Sequence, residues 1–201
     1  KDLKRKKYFK DSDLEKYTNI VKLYKSEKET KKNVIVIILE SVSTEYFRFY
    51  NSEPKDYIGY TPFLDSLINH SYTSYNSFAN GTKSVDAIPS ILASIPATEF
   101  HFSLSKYCAN KIDGIGSLLN KEGYQTSFFH GAPNGSMGFE SMSKLLGIKN
   151  YYGMDNYKNK FDFDGVWGIW DDKFFNYFAD ELNDMKEPFF SSIFSCSSHH
   201  P

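Results

Sequence analysis

Five residues have types and settings that could do chemistry: Glu40, Lys83, Ser84, His130 and His199. Ser84 closes the turn Asn80-Gly-Thr-Lys-Ser84, just ahead of a run with helical spacing. Gly81 permits a tight turn and Lys83 supplies positive charge. A hydroxyl beside a lysine and a helix N-terminus sits in a field that favours an alkoxide, and any phosphate or sulfate it would attack. Thr82 is the alternative hydroxyl in the same turn. Glu40 follows the apolar run Asn33-Val-Ile-Val-Ile-Ile-Leu39. A carboxylate at the carboxyl end of a buried strand must pair, hydrogen-bond or hold a metal. His130 closes a second apolar run, and His199 and His200 follow a third. Each residue also has a structural reading: Glu40 in a cap or salt bridge, Ser84 as a capping serine, each histidine on a surface or in a core. What favours chemistry is their convergence on strand ends along one rim, which is how α/β active sites are built. The turn is not a P-loop, because Thr82 and Ser77 stand where that motif needs glycines.

The elements that must position these residues alternate. The Asn33–Leu39 run is continuously branched and apolar, which predicts a parallel strand covered on both faces. Thr61 and Pro62 open a helix as cap and first residue. The Tyr72–Phe78 segment alternates weakly, as a strand would. Ile88, Ile91, Leu92 and Ile95 share one helical face, with Asp86 as the expected N-cap, Pro89 in the first turn and Pro96 beyond the end. Further helices are expected over 112–121, 139–146 and 171–185, and strands over 124–129 and 188–194. A charged helix with apolar positions at Leu14, Tyr17, Ile20, Val21 and Tyr24 is expected over 11–30. Strands alternating with helices predict a three-layer α/β/α fold around a mostly parallel sheet.

With 201 residues the chain can build one domain with a real core. Residues 1–32 hold 12 Lys/Arg against 6 Asp/Glu, so an overall charge of −1 leaves −7 on the rest. The basic leader reads as a solvated helix or an arm touching anionic lipid. The acidic body excludes broad nucleic-acid binding. No apolar stretch is long enough for a transmembrane helix, and the polar start is no signal peptide. Without an initiator Met, the chain reads as a piece of a longer protein. Cys108 and Cys196 form no CxxC and are expected as unpaired, partly buried thiols.

The residues resemble, in order and spacing, the catalytic domain of the lipoteichoic acid synthase and phosphoglycerol transferase group, a sulfatase-like branch of the alkaline phosphatase superfamily. The resemblance runs from Asn33 to Pro201. It rests on Leu39-Glu40-Ser41, Thr61-Pro-Phe-Leu, Gly81-Thr-Lys-Ser with Ile88-Pro-Ser-Ile-Leu-Ala-Ser-Ile-Pro96, Phe129-His130-Gly131, Trp167-Gly168-Ile169 with Asp171, and Pro188-Phe-Phe leading to Ser198-His199-His200-Pro201. It implies an alkaline phosphatase-like fold, truncated at the C-terminus, with 1–32 as a leader and 33–201 as the N-terminal portion of the catalytic domain. Glu40 would hold a divalent metal, Mn2+ first, with Mg2+ or Zn2+ as alternatives. Ser84 would be the nucleophile and a second ligand, with Thr82 as the alternative nucleophile. Lys83, His130, His199 and Asp171 would meet the substrate. The donor would be a phospholipid headgroup, phosphoglycerol or phosphoethanolamine in type, and the acceptor an envelope glycan or lipid. The protein would work on the extracytoplasmic face of a bacterial membrane, anchored by segments upstream of Lys1.

Two departures qualify that picture. The group's Asp-His metal ligands would lie beyond Pro201, so the chain alone is expected to bind metal weakly and to lack activity. Where lipoteichoic acid synthases hold glycerol phosphate with an Asp, a Trp and an Arg, this chain has Ala132-Pro-Asn-Gly-Ser-Met-Gly-Phe139. A phosphodiesterase- or sulfatase-type hydrolase using unmodified Ser84 is the alternative, and a non-catalytic binding domain is the alternative of another class. A formylglycine sulfatase is disfavoured, since Ser84-Val-Asp-Ala-Ile lacks the Pro and Arg of that motif.

Overall fold

Four strands, β1 (Val34–Ile38), β2 (Gln125–His130), β3 (Asn150–Tyr152) and β4 (Phe189–Phe194), pair side by side in the order β1-β4-β2-β3. Every pairing is parallel. The computed structural model describes residues 10, 12–14, 30–51 and 53–199. The chain divides into two compact units, Lys1–Lys31 and Lys32–Pro201. In the first, residues 12–14 are helical, and most of the helix expected over 11–30 lies outside the described residues.

Strand alternation builds two cores. Along β4, Phe190 and Phe194 face one way, and Phe189 and Ile193 the other. The first face meets helix α2 (Ser84–Ala93) through Ile88 and Leu92 and helix α4 (Phe139–Leu145) through Phe139 and Met142. Helix α3 (Ile115–Lys121) adds Ile115 and Leu119. The second face meets helix α5 (Asp171–Asn183) through Phe174 and Phe178. Phe129 of β2 stacks on Tyr152 of β3, ring centroids 4.3 Å apart, and meets Phe178 edge-on at 4.8 Å. Helices therefore cover both faces of a parallel sheet, as the alternation of elements predicts. Helix α1 (Pro62–Ile68) stands between β1 and α2 in sequence, with Pro62 at its start.

Several local expectations are corrected. The strand buried along its whole length is β4, not β1. Val34, Ile35 and Ile37 are 40%, 47% and 54% exposed, because among the described residues β1 is an edge strand and α5 packs on β2, β3 and β4 but not on β1. Residues 72–78 form no strand and are exposed throughout. The strand β3 was not foreseen, since three residues are too few to show a period. Helix α2 starts at Ser84 rather than after an Asp86 cap, with Lys83 in the cap position and Pro89 sixth in the helix. It ends one turn before Pro96, where Ser94 takes a left-handed conformation at φ +55°. Thr61 occupies the cap position of α1, but its hydroxyl donates to Tyr46 O and Asp65 Oδ2 instead of capping. Both cysteines are free, and Cys196 is buried outright.

Candidate active site

Because all four strands run parallel, their carboxyl ends lie along one rim. The central strand β4 stitches that rim together. Just past its end, Ser195 N donates to Ile38 O at 3.0 Å, and Ser195 Oγ accepts from Glu40 N at 2.8 Å. On its other side, the Phe194 carbonyl accepts from His130 Nδ1 at 2.9 Å. Glu40 and His130, at the ends of the two strands that flank β4, are thus held by one common support.

Ser84 reaches this rim from the first residue of α2. Its Oγ donates to Glu40 Oε2 at 2.7 Å, while Ser41 Oγ donates to Glu40 Oε1 at 2.8 Å. The two residues are 44 positions apart in the chain. The turn that delivers Ser84 is braced from behind. Gly81 has φ +103°, and a Cβ there would come within 2.8 Å of Asp86 Cβ and 2.9 Å of Ala97 Cβ. Asn80 Oδ1 accepts from Ala97 N at 2.9 Å, and the buried Asp86 carboxylate pairs with His101 Nδ1 at 2.9 Å. That partnership explains why Asp86 does not cap the helix: its carboxylate faces inward to a histidine, not back along the chain.

A cavity of about 290 Å³ lies on this rim, lined by Glu40, Ser84, His130 and His199 among others. Its walls are mostly apolar, and Trp167 lies against His199 with ring centroids 4.2 Å apart. Lys83 and Thr82 do not line it. They border a wider groove of about 740 Å³ that shares Glu40 and Ser84 with the cavity. Thr82 is exposed and, unlike Ser84, has no hydrogen bond to Glu40 among the contacts described.

Asp171 sits elsewhere. Its carboxylate, at the start of α5, accepts from Cys196 N at 2.9 Å and from Ser197 N at 2.9 Å, while its own N–H donates to Ser197 Oγ at 2.8 Å. It anchors the loop that carries His199 and is not among the residues lining the cavity. Burial pushes the Cys196 thiol up to about 12, with the Asp171 charge adding to the effect. That thiol is therefore neutral at ordinary pH.

Burial holds His130 below its ordinary value of 6.5, partly offset by the Phe194 carbonyl and by the charges of Asp171 and Glu40. A carbonyl can only accept, so Nδ1 carries the proton and the neutral ring leaves Nε2 as an acceptor. A depressed histidine binds fewer protons folded than unfolded, so stability falls as pH drops below about 6.5 toward the folded value. His130→Asn keeps a donor for the Phe194 carbonyl and removes the titration. The wild type is expected to lose more stability than His130→Asn between pH 7.5 and pH 5.5, measured as urea midpoints. Equal losses would rule this linkage out.

Two oxygen donors from Glu40 and Ser84 fit one edge of a divalent-cation shell. Among the described residues, no group of three or more His, Cys, Asp or Glu is placed to hold a metal ion.

Not every member of the site was visible in the sequence. Ser195 is recognisable in hindsight as the residue after a central strand's end, where parallel sheets place their ligands. The Asp86–His101 pair left no signal, because its two members belong to different turns and only packing unites them.

The site is thus a serine–glutamate pair at the carboxyl rim of a parallel sheet covered by helices on both faces. The chain belongs to the sulfatase family, whose model matches residues 32–201. It is 27% identical over 204 residues to a lipoteichoic acid synthase of Staphylococcus saprophyticus, covering 95% of this chain and 31% of that protein. It is 25% identical over 175 residues to the lipoteichoic acid synthase-like YvgJ of Bacillus subtilis, covering 85% of this chain and 27% of that protein. Among solved structures, a protein in the alkaline phosphatase superfamily from Vibrio parahaemolyticus superposes with a TM-score of 0.74 at 24% identity, covering 87% of this chain and 42% of that one. The lipoteichoic acid synthase LtaP of Listeria monocytogenes gives 0.71 at 23%, covering 85% and 42%. The fold is therefore alkaline phosphatase-like, and the chain spans less than half the length of these relatives.

Proposed function

We propose that this chain forms the nucleophile-bearing part of a phosphotransferase of the sulfatase family, with Ser84 as the attacking residue. The observation that carries the reading is the 2.7 Å hydrogen bond from Ser84 Oγ to Glu40 Oε2. In the first step Oγ bonds to phosphorus while the bond to the leaving oxygen breaks. Glu40 Oε2 is positioned to hold the hydroxyl's proton, and the leaving alcohol takes one from solvent. In the second step an acceptor hydroxyl or water attacks phosphorus, the Ser84 Oγ–phosphorus bond breaks, and Glu40 Oε2 returns its proton to Ser84 Oγ. His130 Nε2 is the acceptor on the rim suited to the incoming proton, since its ring is neutral and its Nδ1 is already engaged. A bound divalent cation, Mn2+ first among candidates, would neutralise charge on the transferring oxygens and lower the hydroxyl's pKa. Lys83 supplies further positive charge from the adjoining groove.

We propose Asp171 as a positioning residue, because its carboxylate is fully engaged by the main chain that leads to His199. The family relationship supports a phospholipid-headgroup donor and an envelope glycan or lipid acceptor, on the extracytoplasmic side of a membrane-anchored protein. Among the described residues no helix is long and apolar enough to cross a membrane.

The test is to trap the intermediate. Full-length protein mixed with an activated phosphodiester and Mn2+, quenched in acid and digested, is expected to carry the added mass on the peptide containing Ser84. A phosphorylated Thr82, or an adduct that persists in Ser84→Ala, would overturn the assignment.

A further inference from the structure

The cavity on the rim has an unequal character. Its lining carries Glu40, Ser84 and His130, together with Met137, Phe139, Val166 and Trp167, the last packed against His199. No lysine or arginine is among the described residues lining it. A second anionic group placed against the apolar walls would lose water with no lysine or arginine there to pair it, which is unfavourable.

The walls are also held in place. Met137 adopts φ +51°, a left-handed conformation that a non-glycine residue reaches only with strain. It lies between Gly135 at φ +86° and Gly138 at φ +69°, which let the chain make this turn. Trp167 is fixed from below, because Asp164 Oδ1 gathers the N–H groups of Val166, Trp167 and Gly168 at 2.8, 2.7 and 3.1 Å. The Trp167 indole Nε1 is buried and donates to no partner among the described residues.

We infer that this cavity selects the organic group that stays on phosphorus during the first step, and that it takes an uncharged, largely apolar group, a single ring or a short chain in size. The inference rests on the Ser84 reading and goes beyond it. It commits the substrate to a phosphodiester whose transferred substituent carries no second charge, since a sulfate monoester has no such substituent to place. About 290 Å³ is at the lower end of small-molecule sites, which suits one ring and not a long acyl chain.

The experiment uses full-length protein with Mn2+ and isothermal titration of three probes: methylphosphonate, phenylphosphonate and phosphonoacetate. The expected result is phenylphosphonate at least about tenfold tighter than methylphosphonate, with phosphonoacetate no tighter than methylphosphonate. Met137→Gly relieves the strained turn and removes a wall, so the phenyl-to-methyl preference should fall below about threefold. Val166 is 60% exposed and tolerates change. Val166→Lys puts a cation on the same wall and should make phosphonoacetate the tightest of the three. Equal binding of the phenyl and methyl probes, preference of the wild type for phosphonoacetate, or no binding of any probe would overturn the inference. An adduct on Ser84 together with any of those outcomes would leave the nucleophile standing while removing the substrate class. No adduct on Ser84 would remove the reading beneath it.

Discussion

Replacing Ser84 by alanine in the full-length protein is expected to lower turnover of a nitrophenyl phosphodiester by roughly 10⁴-fold or more, the scale seen when a covalent nucleophile is removed. The expectation follows from geometry. Ser84 Oγ lies 2.7 Å from the Glu40 carboxylate and on the wall of the rim cavity. No other hydroxyl in the turn combines those two properties. Thr82 is exposed on the adjoining groove, so Thr82→Ala should change turnover less than about threefold. The stability cost of Ser84→Ala should stay near 1 kcal/mol, because Glu40 keeps its bonds to Ser41 Oγ and, through its own N–H, to Ser195 Oγ. Steady-state kinetics beside a thermal melt separates the two effects. Wild-type rates in Ser84→Ala with a dead Thr82→Ala would move the nucleophile two residues upstream. Losses in both variants accompanied by a large drop in Tm would mean that the turn had come apart.

Asp171→Ala should have the largest effect on stability among the rim residues. Its carboxylate accepts from two main-chain N–H groups in the loop after β4, and both bonds are charge-assisted. Their loss should cost about 3 kcal/mol, equivalent to roughly 6–12 °C in Tm for a chain of this size. A second readout distinguishes bracing from direct substrate contact. Burial is the main cause of the raised Cys196 pKa and the Asp171 charge comes next, so removing that charge brings the thiol down from about 12. Cys196 should then react faster with a disulfide reagent at pH 8, both from greater ionisation and from a looser loop. If Asp171→Ala melted like the wild type yet lost affinity for a phosphonate probe, Asp171 would contact substrate, as its place in the family motif implies.

Both predictions turn on the loop after β4, and this is where sequence and structure part company. The strand itself was legible, because Phe189–Phe194 follows a proline and is rich in aromatics. What the run could not reveal is that β4 inserts between β1 and β2. That insertion brings Glu40 and His130 to either side of one strand end, so the Ser195 hydroxyl and the Phe194 carbonyl can hold both. Strand order depends on long-range pairing, and local pattern carries little information about it.

The misjudged burial of β1 has the same origin. An unbroken branched run shows that a strand is apolar, not which of its faces a helix will reach. Here α5 packs against β2 and β4 and stops short of β1, leaving Ile35 and Ile37 exposed among the described residues. Asp86 failed as a cap for a related reason. Cap preference is a local tendency worth about 1 kcal/mol, and a buried carboxylate beside His101 outweighs it.

By itself the sequence determined the class of fold, the strands that end at the rim, and the family motifs that point to Glu40 and Ser84. These are matters of period, composition and order along the chain, which nearest neighbours fix. Only the tertiary structure decided that the glutamate and the serine share a hydrogen bond, that Asp171 serves the backbone, and that the cavity beside them has mostly apolar walls. Those facts arise where segments tens to more than a hundred residues apart are packed against one sheet edge, and packing is a property of the whole chain.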